Sequence, residues 1–224
     1  MGTQEVRPAF YALRSGGWRD WITLLHPPYT LWHLSYVAIG AAIAPHFHVV
    51  RMLWGLAAFF LAMGVAAHAL DELQGRPLRT RIPSWALVAV AAASLAGAVA
   101  IGVGAAAAWG WGLLAFVAVG AILVPAYNLE VAFHNDLGFA VSWGAFPVLT
   151  GYFVEAQTLR AEAGAAALCA TLLSLAQRTL STPVRHARRA RGTTAGVEAL
   201  ERALQLLTWA TVALAAALVI ARLR

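Results

Sequence analysis

The sequence contains no lysine, so all 16 of its basic residues are arginine. Its single cysteine, Cys169, excludes an intrachain disulfide framework. Charge of either sign is scarce: Asp, Glu, Lys and Arg make up 12% of the 224 residues, against about 25% in soluble domains. That scarcity stands beside a hydrophobic fraction of 61% and a mean hydropathy of +0.69. Together they exclude an ordinary soluble domain and define an integral membrane protein. No cleavable signal peptide is expected, because the first apolar run begins late and lacks a small-residue cleavage pattern after a short core.

What the chain has in abundance is apolar sequence. Candidate spans fall at residues 29–45, 52–70, 84–103, 105–124, 137–154, 163–176 and 204–221, most of them near the roughly 20 residues a bilayer-crossing helix needs. The fold class expected is therefore all-α: a polytopic transmembrane helical bundle of about seven spans. Residues 1–28 form an interfacial amino-terminal segment and 29–224 the transmembrane helical domain. The sixth run is the shortest, and the weak break at Gly104 can be read as a bend within one unit. Small residues dominate 88–110, which either lets helices approach closely in lipid or reflects a composition biased toward alanine and arginine.

Arginine is distributed unevenly about these runs. Arg7, Arg14, Arg19, Arg76, Arg79, Arg81, Arg178, Arg185, Arg188, Arg189, Arg191 and Arg202 fall on the side of the amino terminus, and only Arg51, Arg160, Arg222 and Arg224 on the other. The positive-inside rule then predicts a cytoplasmic amino terminus and an external carboxyl terminus; the location expected is a bacterial cell membrane. Because the arginines flank apolar spans rather than cluster on a soluble face, anionic lipid is the partner they fit, and nucleic acid is not. The stretch "RPAFYALRSGGWRDWITLLHPP" mixes arginine with Phe10, Tyr11, Trp18 and Trp21, as suits a segment lying in the interface. Pro27 and Pro28 close it, and a new helix is predicted from near Tyr29. Trp32, Trp54, Trp85, Trp109, Trp111 and Trp209 lie near span ends as interfacial belts.

Two stretches put acidic groups beside other polar residues at a span end. In "AHALDELQGRPLRTRIP", residues 67–83, His68 reaches Asp71 and Glu72 at spacings of three and four on one helix face. Gly75 and Pro77 end that helix, and Arg76, Arg79 and Arg81 follow. A carboxylate pair can hold Mg²⁺, which in turn can bridge a diphosphate, and arginines offer forked donors to phosphate oxygens. The competing reading is a solvated helix end whose acids pair with those arginines. In "YNLEVAFHNDLGFAVSWGAFPVLTGYF", residues 127–153, Glu130 and His134 stand at i,i+4 before Asn135 and Asp136. Polar groups this close to a membrane core suggest a site, while Asn-Asp before a helix is equally an amino-terminal cap. His46 and His48 have no third metal ligand nearby and read as surface residues, and His33 reads as a hydrogen-bonded packing residue. The run 178–192, "RTLSTPVRHARRARG", reads as a basic cytoplasmic loop.

The order of these features resembles the UbiA-type superfamily of membrane prenyltransferases, all-helical proteins that move an isoprenoid chain from its diphosphate to an acceptor. "HPPYTLWHLSYVAIGAAIAP" looks like that family's arginine-proline start and glycine-bearing first helix, with His26 in place of the arginine. "HALDELQGRPLRTRIP" sits where the first aspartate-rich motif and its Arg-Pro-Leu element lie, matched by Arg76, Pro77 and Leu78. "YNLEVAFHNDLGFAVSWGAFPVLTGY" is similar to the passage from the fourth to the fifth helix, with Tyr127, Leu137, Gly138, Gly144 and Gly151 in place. The resemblance covers roughly residues 26–190.

The resemblance implies transfer of a polyprenyl group from its diphosphate to a lipid-soluble acceptor, dependent on Mg²⁺. Asp71 and Glu72 would hold the metal; Arg76, Arg81, Arg185, Tyr127 and Asn135 would contact the diphosphate. All of these are expected around one cavity. The chain also departs from the family. Its first motif keeps only two acids, and "AQRTLSTPVRHARRARG" stands in place of a second acidic motif. Asn128, Leu129 and Glu130 replace a basic pair, and seven spans stand in place of nine. The alternative is a catalytically inactive UbiA-like membrane protein that binds an isoprenoid or other lipid, or serves as a partner subunit. A transporter is disfavoured because the span interiors carry almost no charge.

Overall fold

A computed structural model describes residues 7–132, 134–190 and 195–224. Among them every regular element is a helix. Helix α1 is Trp18–Leu24, α2 Pro27–Ile43, α3 Val49–Leu73, α4 Ser84–Trp109, α5 Leu113–Asn128, α6 Asp136–Ala156, α7 Ala161–Arg189 and α8 Ala195–Arg222. Each apolar run of the sequence falls mainly within one helix from α2 to α8. Five of these, α3, α4, α6, α7 and α8, are long and apolar enough to cross a membrane, whereas α2 has 17 residues and α5 has 16. The chain is thus a polytopic membrane bundle.

Three boundaries differ from expectation. Helix α2 begins at Pro27, where a missing N–H costs nothing because a first-turn amide has no partner inside the helix. The turn between α4 and α5 lies at Gly110, with φ +150°, and not at Gly104, which sits inside α4 facing open space. Helix α7 continues to Arg189, so residues 178–189, expected as loop, are helical; 191 and 192 lie outside the described residues. Pro183 is accommodated within that helix, and His186, Arg188 and Arg189 in its last turn oppose the negative end of the helix dipole.

Helix α2 is the axis of the bundle, in contact with α3, α6 and α8. Its packing on α6 is backbone against backbone. A Cβ on Gly40 would collide with the Val148 carbonyl, and one on Gly151 with the Val37 carbonyl. Small residues allow this approach, which in lipid supplies the dispersion contact that water would otherwise drive. Gly144 repeats the device between α6 and α7, where an added Cβ would lie 2.7 Å from both the Ala170 carbonyl and Ser174 Oγ. Around these contacts Trp32, Tyr36, Val148, Ala167 and Ala170 form a buried cluster, with Trp32 Nε1 donating to Tyr36 Oη at 2.6 Å. The peripheral α4 and α5 turn Val88, Val119 and Ile122 outward, as a lipid-facing surface requires.

The hydrogen bonds sort the connections into two ends. At one, Arg188 donates to the Arg7 carbonyl and the Arg81 amide to Asp20. At the other, Arg51 donates to the Glu155 carbonyl, His48 donates to the buried Glu155 carboxylate, and Arg222 reaches the Ala44 carbonyl. Two stretches widen into π-helix, Phe60–Ala67 in α3 and Val141–Ala145 in α6. Such turns redirect side chains and recur at functional sites.

Candidate functional site

At the arginine-rich end the helices part around a cavity of about 470 Å³. Its inner wall is apolar, formed by Met63, Phe139 and Trp143. Met63 and Trp143, one from each π-helical stretch, also line a second, apolar cavity of about 100 Å³ among α3, α4, α5 and α6. The two cavities therefore share a wall, polar space on one side and apolar on the other. His33 Nδ1 bonds the Trp143 carbonyl at 2.7 Å and fixes that wall to α2, which is the packing role expected of it.

The outer part is polar, and α7 supplies more of it than any other helix. With the run 178–189 helical, Arg178, Ser181, Thr182, Arg185 and Arg189 lie along one face at spacings of three, four and seven, and all line the cavity. Arg178 donates to Asp136 Oδ1 at 2.8 Å and to Tyr127 Oη at 3.1 Å, and lies over the Phe139 ring. Arg188 forms a bidentate pair with Glu201 at 2.7 Å. Arg185 differs from both. It is held by hydroxyls of its own helix, Ser181 at 3.0 Å and Thr182 at 3.1 Å, and among the described residues no carboxylate lies within ion-pair distance of it.

Of the residues expected here, Asp71, Tyr127 and Arg185 line the cavity together. The other four are engaged elsewhere. Glu72 is fully buried: Oε2 accepts the Leu78 amide at 2.9 Å, and Oε1 accepts the Thr80 amide at 2.9 Å and the Thr80 hydroxyl at 2.8 Å. Gly75, Arg76 and Arg79 take positive φ values, folding the loop back so that these donors converge on it. Arg76 is spent on the Ile82 carbonyl and Ser84 Oγ. The Arg81 side chain is exposed while its amide donates to Asp20. Asn135 caps α6, accepting the Gly138 amide at 2.7 Å, as an asparagine just before a helix does.

Sequence reasoning missed the histidine pair. His26 and His68 stack with centroids 4.2 Å apart and planes at 21°, both facing the cavity. His68 Nδ1 donates to the Gly64 carbonyl at 3.1 Å, so its Nε2 carries the lone pair. Tyr11 Oη lies 2.6 Å from His26 Nδ1, and His26 Nε2 is buried without a partner. Burial, with His68 and Arg185 adding to it, holds the His26 pKa well below its ordinary value, and burial raises that of Tyr11. The signal available was the spacing of His26 before Pro27-Pro28, which says nothing of its distance to residue 68.

The donors do not compose the expected magnesium site. A hard cation needs free carboxylate oxygens, and both Glu72 oxygens are taken by protein donors. Among the described residues no group of three His, Cys, Asp or Glu side chains is placed to hold a metal.

These features define a polytopic, all-helical membrane protein with an amphipathic cavity at its arginine-rich end. No family model and no curated protein matches the sequence. In structure the chain is similar to a UbiA homolog from Archaeoglobus fulgidus bound to Cd²⁺, with a TM-score of 0.57 at 17% identity, covering 91% of this chain and 85% of that one. The fold is therefore of the UbiA type.

Proposed function

We propose that this protein takes a polyprenyl diphosphate into the cavity and transfers the prenyl group to a lipid-soluble acceptor. The observation that carries this reading is the shared wall of Met63 and Trp143 between an arginine-lined polar space and an apolar one. An anionic headgroup with a long apolar tail matches that division. Arg185 and Arg178 face the diphosphate with charge-assisted donors. The bond between the prenyl carbon and the diphosphate oxygen breaks with its electron pair leaving on the diphosphate, where the guanidinium charge stabilises it. The allylic cation left behind is met by the rings of Tyr127 and Trp143, whose faces attract positive charge. The acceptor forms the new bond and releases a proton, for which His68 Nε2 offers a lone pair. In this reading the arginine-rich end faces the cytoplasm and α1, with Trp18 and Trp21 exposed, lies in the interface.

The cadmium ion belongs to the Archaeoglobus protein; the engagement of Glu72 leaves the two-carboxylate magnesium site without support in this chain. That same engagement favours a second reading, in which the protein binds the prenyl diphosphate without transferring it. The assay is labelled polyprenyl diphosphate incubated with purified protein in lipid nanodiscs. Saturable binding with diphosphate release on adding a membrane lipid extract supports transfer. Binding without release supports the second reading, and absence of both overturns each.

A further inference from the structure

We infer that the diphosphate is held by arginine alone, without a metal bridge. The inference rests on the reading that a prenyl diphosphate is the ligand, and it concerns how the headgroup charge is met.

Four carboxylates line the cavity: Asp71, Glu130, Asp136 and Glu201. Asp136 is paired with Arg178, Glu201 is clamped by Arg188, and Glu130 lies 3.7 Å from His134 Nε2 on the exposed loop. Glu72, next to Asp71 in sequence, is turned out of the cavity and saturated by the Leu78 and Thr80 donors. Asp71 is thus left as the one carboxylate lining the cavity that has no hydrogen bond or ion pair among the described residues. A divalent ion there would meet Asp71 with Glu130 in electrostatic reach, opposed by Arg185, and among the described residues no group of three ligating side chains is placed to hold it. Arg185 is within electrostatic reach of Asp71, and Arg178 and Arg189 follow on the same helix face.

The arginines are themselves suited to the ligand. Arg185 is positioned by two hydroxyls rather than neutralised by an acid, so its charge is directed to the cavity. A guanidinium presents a planar fork that meets two phosphate oxygens at once. Under this arrangement Asp71 opposes the diphosphate instead of recruiting it. A metal bridge and an arginine cradle therefore give opposite signs for the same substitution.

The test is equilibrium binding of farnesyl diphosphate to the full chain in nanodiscs, measured in EDTA and in magnesium. The arginine cradle gives the same Kd in both, within about twofold, a change of less than about 0.5 kcal/mol. Arg185→Gln weakens binding roughly tenfold or more, as loss of a charge-assisted contact implies, with Arg185→Lys recovering part of it, and Asp71→Asn binds at least as tightly as the unaltered protein. Binding lost in EDTA and regained with magnesium, or abolished by Asp71→Asn, overturns the inference and leaves the diphosphate reading standing. No saturable binding in either condition overturns that reading itself. The EDTA comparison uses the unaltered protein, so it does not depend on any variant folding.

Discussion

Glu72 and Thr80 are tied twice: one carboxylate oxygen of Glu72 accepts both the amide and the hydroxyl of Thr80. With the Leu78 amide on the other oxygen, this joins the end of α3 to the loop that leads into α4. Glu72→Gln puts an amide donor where two N–H groups and a hydroxyl need an acceptor. It should cost about 2 kcal/mol, or roughly 4–8 °C in Tm for a chain of this size. Thermal unfolding in detergent measures this, while the fraction that remains folded should bind diphosphate normally. A variant of unchanged Tm that loses binding would return Glu72 to the cavity.

Gly40 and Gly151 should tolerate no side chain, since a Cβ at either collides with the carbonyl of the opposite helix. Gly151→Ala should lower Tm by several degrees, whereas Gly104→Ala, which meets only open space in α4, should leave Tm unchanged or raise it. The comparison separates a packing constraint from the general preference of helices for alanine over glycine. Equal effects of the two substitutions would refute the backbone contact between α2 and α6.

His26 should stay neutral below the ordinary histidine value of 6.5. The unfolded chain takes up a proton near that pH and the folded chain refuses it, so stability is fully present above about 6.5 and declines as the pH falls below it. ¹⁵N NMR of labelled histidine reports the titration directly, and His26→Gln should flatten the acid decline. Protonation of His26 at or above its ordinary value would contradict the buried stack on His68.

Met63 and Trp143 should set the length of prenyl chain that fits. Trp143→Ala opens the wall between the cavities and should shift preference toward geranylgeranyl over geranyl diphosphate. Met63→Trp closes it and should do the reverse. Competition binding with geranyl, farnesyl and geranylgeranyl diphosphates reads the order, and an order unaffected by both variants would show that the tail does not pass between these residues.

The helices were legible in the sequence because apolar runs of bilayer length admit few alternatives, and the arginine asymmetry separated the two ends correctly. Boundaries were less legible where small residues carry little signal. Gly104 and Gly110 look alike in an alanine-rich run, and only the backbone shows that Gly110 turns. The stretch 178–189 was misread for a physical reason: arginine density suggests a solvated loop, but the same residues at spacings of three, four and seven make a helix face when a cavity receives their charge. Asp71 and Glu72 share a helix and adjoin in sequence, yet successive residues on a helix point about 100° apart. One therefore lines the cavity while the other meets the loop. The contact of His26 with His68 joins two helices and has no local trace.

The account stands on an anionic headgroup meeting Arg185. The most direct measurement is the affinity of the purified protein for farnesyl diphosphate against farnesol, in the unaltered chain and in Arg185→Gln. The account requires the diphosphate to bind saturably and much more tightly than the alcohol, with that advantage falling roughly tenfold or more in the variant while farnesol is unaffected. Equal affinity for the two ligands, or an advantage that survives the loss of Arg185, would contradict it.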